Sequence, residues 1–212
     1  MPVSGVLECL FSYWQQLPRA ASGGLPVRAA LNPAELLELL PRVALLKRLD
    51  RYNVEASMMN MADTCMWQRP FVGMNAFDLT APAIRESRAQ FYEAILDHPA
   101  AAHLREIIQQ KNGKQATVKS LYLPLADKAG KATYIMACTV YENQPRYGYV
   151  NDRLVLDHHD VKELEFIDIG NGVPQMQFAR PEPRQKNDDV TNWWQRIMPG
   201  RGKAAPVTRL DS

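Results

Sequence analysis

The densest run of side chains able to do chemistry is Asp157-His158-His159-Asp160, two imidazoles between two carboxylates. Such a set could hold a metal ion or relay a proton if its members converged. Consecutive side chains diverge in a strand or a helix, so four in a row do not close on one ion. The run reads as a solvated loop, and no metal is assigned. No Ser-His-Asp set or carboxylate pair elsewhere has a local context for catalysis. The chain is therefore read as a non-enzyme, with a small enzyme built on this run as the least favoured alternative. A haem would need an axial ligand, most often histidine, facing an apolar pocket. His98 and His103 are the residues to consider, and both sit in polar or alanine-rich surroundings that read as surface. Cys9, Cys65 and Cys138 are far apart, with no C-x-x-C pair, which suits reduced thiols in the cytoplasm rather than a disulfide framework.

The elements that would position any site are clearer. The chain has 212 residues, 46% hydrophobic and 23% charged, with a net charge of +2. One domain plus a tail is the economical reading. So small a charge gives no basic field for nucleic acid. The N-terminus lacks the basic start and long apolar core of a signal peptide, and no run approaches the roughly 20 apolar residues of a membrane span.

Ser4 can cap a first helix, in which Val6, Leu7, Leu10, Phe11, Trp14 and Leu17 recur at helical spacing. Asn32-Pro33 opens a short helix expected to dock Leu36, Leu37 and Leu40 before Pro41. Strands are expected over 43–50 and 52–59, and short helical turns over the methionine-rich segment that follows. The clearest helix runs from about Thr80 to Asp97, with Ile84, Phe91 and Ile95 on its apolar face and Arg88 and Tyr92 flanking them. Strands follow at 103–110, 117–125 and 132–141, with turns at Asn112-Gly113 and Asp127–Gly130. In the last, Tyr134, Met136, Cys138 and Val140 point one way and Ile135, Ala137, Thr139 and Tyr141 the other, which predicts a central strand covered on both sides. Pro124 marks a bulge or strand end. The result is an α+β fold, an antiparallel sheet with helices on one face and an N-terminal helix available for the other.

This order of elements is that of PAS domains, and particular stretches add to the likeness. Trp14, Leu17, Leu25-Pro26, Arg28, Leu31-Asn32-Pro33 and Leu39-Leu40-Pro41 resemble the opening of a bacterial single-domain PAS-type family. FVGMNAFDL, LYLPLADKAGKATYIM and FIDIGNGVP resemble later segments of it. The family's basic second strand with a glycine-threonine pair is replaced here by YNVEASMMNM. The resemblance implies a five-stranded sheet in a sensory or regulatory module. It divides the chain into an N-terminal helix and linker (1–30), a PAS-like domain (31–145), a C-terminal extension (146–178) and a flexible basic tail (179–212).

PAS domains commonly hold a ligand between sheet and helices. The resemblance thus makes Met58, Met61, Cys65, Trp67, Phe71, Phe77, Phe91, Ile95, Met136 and Cys138 pocket-lining candidates. The competing reading is a closed core in which methionines fill irregular gaps. Light-sensing relatives place a reactive cysteine in an Asn-Cys-Arg context, which Asp63-Thr64-Cys65-Met66 lacks. Neither flavin nor haem is predicted. Leu7, Leu10, Phe11 and Trp14 either cap the sheet or pair with a second copy in a homodimer. In the tail, Trp193, Trp194, Arg196 and Ile197 suit a protein groove or the surface of a membrane, or pack back on their own domain. The sequence therefore points to a cytoplasmic regulatory module that binds a small molecule or a protein, with an adaptor of closed core as the alternative.

Overall fold

Period-two alternation between residues 115 and 141 sets the centre of the fold. The computed structural model describes residues 3–20, 24–58, 72–80, 82–109, 115–142 and 158–176. The chain divides into a unit Met1–Arg180 and a second, Pro181–Ser212, which lies outside the described residues. Two helices, α1 (Val3–Gln16) and α2 (Arg85–Asp97), accompany the strands β1 (Val43–Asp50), β2 (Asn53–Met58), β3 (Ala101–Gln109), β4 (Gln115–Ala126), β5 (Ala132–Tyr141) and β6 (His158–Ile167).

The strands form one antiparallel sheet in the order β2-β1-β5-β4-β3-β6. Six strands replace the five expected. The additional one is β6, which extends the β3 edge and includes His158, His159 and Asp160, so these residues belong to a strand and not to a solvated loop. Asp157 lies outside the described residues.

β5 sits between β1 and β4, and its two faces enter different cores. Met136 lies opposite Leu45 and Leu123, and Cys138 opposite Val43 and Leu121. These side chains form one apolar cluster with Val6, Leu7, Leu10, Trp14 and Leu17 from α1 and the residue after it. Ile135 and Ala137 point the other way, into a cluster with Phe77, Phe91, Tyr92 and Ile95. Burial of each large apolar side chain contributes about 1.5–3 kcal/mol, so one helix on each face turns a two-sided apolar strand into a stable centre.

Trp14 fixes α1 in place. It is 1% exposed, and its indole N–H donates to the Pro124 carbonyl at 2.9 Å. β4 runs on through Pro124 to a register shift at Leu125/Ala126. Its pairing with β3 reaches only Tyr122, so the missing proline N–H breaks no β3–β4 bond.

The segment after Asn32 differs from the helix expected. Asn32 Oδ1 accepts the Ala34 N–H at 3.1 Å, and the chain then winds through turns into a single 3-10 turn, Leu40–Arg42. The tighter winding buries Leu36 and Leu39, three apart, and leaves Leu37 67% exposed. Further on, Asn75 staples the edge of β2. Its Oδ1 accepts the N–H groups of Val54 and Phe77, each at 3.1 Å, and its Nδ2 donates to the Tyr52 carbonyl at 2.7 Å.

Candidate functional site

The layer between α2 and the sheet contains the chain's most unusual chemistry. Ile84, Arg88, Phe91, Tyr92 and Ile95 follow helical spacing, and all are buried. Arg88 occupies an apolar position of this stripe. On β3, Ala102, Leu104 and Glu106 alternate onto the same face of the sheet. The Arg88 guanidinium meets the Glu106 carboxylate there as a hydrogen-bonded ion pair, with side chains 5% and 6% exposed.

Aromatic rings enclose the pair. The Arg88 guanidinium carbon lies 5.8 Å from the centre of Phe91, whose ring meets Tyr122 edge-on at 4.9 Å. Tyr92 meets Phe77 edge-on at 5.8 Å. Burial pushes the phenols of Tyr92 and Tyr122 up against the opposing pull of Arg88, so both stay protonated donors. Burial also pulls the Arg88 pKa down, but its surroundings, the Glu106 carboxylate foremost, outweigh it and the net displacement is upward. The centre therefore holds one cation, one anion and two phenols in an apolar layer. It can donate and accept hydrogen bonds at close quarters.

A second, exposed network ties the β1–β2 turn to the outer side of α2. Arg51 donates to Glu86 at 2.5 Å and to both oxygens of Glu93 at 2.9 Å. Tyr52 donates to Glu86 at 2.5 Å, and Arg48 is paired with Asp97. Hydrogen bonds from Tyr52, Arg51 and Gln90 hold the Glu86 carboxyl below the usual range, and Arg48 does the same for Asp97. Two open hollows flank this network. One, of about 550 Å³, lies between Gln90, Glu93, Ala94, Asp97 and His98 and the segment Pro174–Met176. The other, of about 320 Å³, has Arg48, Asp50, Arg51, Asp97, Lys131 and Thr133 on its walls.

The pocket candidates chosen from sequence fall into three groups. Phe77, Phe91 and Ile95 gather beneath α2. Met136 and Cys138 are on the opposite face of the sheet under α1, so they line no hollow in common with the first three. Met61, Cys65, Trp67 and Phe71 lie outside the described residues, as does the side chain of Met58. Of the contact candidates, Leu7, Leu10 and Trp14 are buried against the apolar face of β5 and β4, the sheet-capping arrangement of the two expected for this stripe. Phe11 is half-buried and stacked on Trp14 at 5.9 Å. Trp193, Trp194, Arg196 and Ile197 lie outside the described residues. His98 follows α2 beside Gly172, and His103 is a half-buried strand residue opposite Leu121 and Glu165. Among the described residues no three His, Cys, Asp or Glu side chains gather into a metal-binding group, and no helix is long and apolar enough to cross a membrane.

Sequence reading missed Glu106, Tyr122 and the central place of Arg88. The signal was present: a charged residue at apolar helical spacing, and a carboxylate in phase with Ala102 and Leu104.

A family model described as PAS domain matches residues 4–140. Among solved structures, the chain is similar to VqmA of Vibrio cholerae, described as a dimer in the absence of target DNA. The identity is 17%, with 52% of this chain and 50% of that chain covered, at a TM-score of 0.37. A VqmA–ligand–DNA complex gives 17% identity, 51% and 49% coverage, and a TM-score of 0.36. The chain thus spans about half the length of the solved chains it matches. No curated protein matches it.

Proposed function

The chain belongs to the PAS domain family, and on that premise we propose that it is a regulatory module acting by ligand or protein binding, with no reaction of its own. The observation that carries the reading is the buried Arg88–Glu106 pair among phenols beneath α2. A layer needed only for packing is served as well or better by apolar side chains, because withdrawing two charges from water costs several kcal/mol per ion before their attraction is counted. A polar centre kept in that place supports recognition of a small molecule bearing both hydrogen-bonding and aromatic or aliphatic parts. No cofactor is part of the proposal. The near balance of charge, +2 overall, favours a small molecule or a protein over nucleic acid as partner, and three cysteines spread far apart in sequence favour the cytoplasm.

Native mass spectrometry of the protein purified from cells, followed by denaturing extraction, tests this. A stoichiometric small molecule that is lost in Glu106→Gln supports it. An empty mass, together with no thermal shift across a metabolite panel, overturns ligand binding at this centre.

A specific observation favours the second reading, an adaptor with a closed core. The rings of Phe91, Tyr122, Phe77 and Tyr92 already close on one another edge to face. An adaptor would recruit proteins through exposed groups such as Leu49 and Tyr52 at the β1–β2 turn, 50% and 47% exposed.

A further inference from the structure

Among the strands, β6 is set apart by having no fully buried side chain in its described residues. From Asp160 to Met176 no described side chain is fully buried. Val161, Leu164, Phe166 and Ile167 are half-buried, and Lys162, Glu163 and Glu165 are exposed. β1, β2, β3, β4 and β5 each carry fully buried side chains. Attachment runs through the backbone ladder to β3, interrupted between Arg105 and Glu106 where Lys162 has no opposite number, through half-buried apolar side chains (Val161, Leu164, Phe166 and Met176 on one face, Ile167 and Ile169 on the other) and, among the described residues, through the ion pair Arg105–Glu163 at 3.2 Å. Past the strand, Asp168 Oδ1 accepts the N–H groups of Gly170 and Gly172 at 2.7 and 2.9 Å and turns the chain back. Asn171 Nδ2 then donates to the Pro99 carbonyl at 3.4 Å. Met176 ends against the cluster under α2.

What this segment covers is as telling as how it is held. Val161 lies opposite Glu106, Leu164 opposite Leu104, and Phe166 opposite Ala102. Phe166 also lies 6.3 Å from Phe91 of α2. The segment therefore helps keep the Arg88–Glu106 pair from water. We infer that residues 158–176 form a clasp that lifts from β3 and α2 as one unit while β1–β5 stay paired, and that the ion pair beneath it eases the lifting. Few buried apolar contacts place a segment at the low end of local stability. Uncovering an ion pair returns part of its lost hydration, whereas uncovering apolar groups returns none. The inference rests on the regulatory reading only for its use. As a physical device it stands or falls on the protein without any ligand.

Hydrogen exchange of the full chain at pH 7 decides it. Amides of β6 should exchange at least about tenfold faster than those of β4 and β5, through an opening that leaves those strands protected. Equal protection across all six strands would overturn the clasp. In the double variant Arg88→Met/Glu106→Leu, β6 should become about tenfold better protected; unchanged or weaker protection in a folded variant would overturn the role of the pair. If that variant fails to fold, Asp168→Asn takes its place for the clasp. Faster exchange confined to 158–176 supports a separate unit, and faster exchange across the whole sheet refutes it. Ligand occupancy by mass spectrometry is read independently of each result.

Discussion

Arg88 and Glu106 are worth more to each other than either is to the fold. Removing one leaves a buried charge, so Arg88→Ala or Glu106→Ala should cost about 3–5 kcal/mol in urea unfolding, while replacing both with apolar residues should cost little or stabilise. A single substitution that costs under about 1 kcal/mol would show that water already reaches the pair. Leu36 and Leu37 make a second test, because they are neighbours with opposite surroundings. Leu36→Ala should lose about 2–5 kcal/mol and Leu37→Ala no more than about 0.5 kcal/mol. Helical spacing led to the choice of Leu36, Leu37 and Leu40 as a docked set. The chain winds more tightly there, so an i, i+3 repeat selects Leu39, and residue identity alone does not distinguish the two windings. Arg88 was hidden for a related reason. A long cation beside an apolar stripe usually reaches water, and here a carboxylate partner on β3 helps keep it inside.

At the scale of elements, regular periods were readable and interrupted ones were not. β5 was legible to the residue, and α1 and α2 were placed by their apolar repeats. β6 carries its inward residues at Val161, Leu164 and Phe166, a spacing of three and then two, because the bulge at Lys162 shifts the phase. A strict two-residue pattern cannot find such a strand. The pocket candidates divide across the sheet: Met136 and Cys138 share the α1 side of β5, while Phe77, Phe91 and Ile95 gather on the α2 side. α1 depends on Trp14 for its seat. Trp14→Phe keeps most of the packing but leaves the Pro124 carbonyl without its donor, and should cost about 1–3 kcal/mol. Thermal unfolding followed by far-UV circular dichroism checks it, and an unchanged midpoint would show that the bond adds nothing.

Taken as a whole, the described molecule is tied at its surface by carboxylates that favour neutral pH. Glu86, Asp97, Asp127, Glu142 and Asp168 are all held below their ordinary range by hydrogen bonds and neighbouring cations. The unfolded chain therefore binds more protons in acid. Their stabilisation is present above the ordinary values, 4.5 for Glu and 3.8 for Asp, and is lost as pH falls through the lower folded values. Melting temperature should be level from pH 7 to about pH 5 and drop steeply below about pH 4. Because these groups are exposed or half-buried at the surface, salt should flatten the drop. A melting temperature that rises on acidification would contradict the assignment. The added sixth strand has a consequence for how the protein is cut. The family match ends at residue 140, ahead of β6, so a fragment trimmed to that boundary keeps five strands and bares the backbone of β3 along its full length. Such a fragment should precipitate by strand-to-strand stacking between molecules, whereas one ending after Met176 should stay in solution.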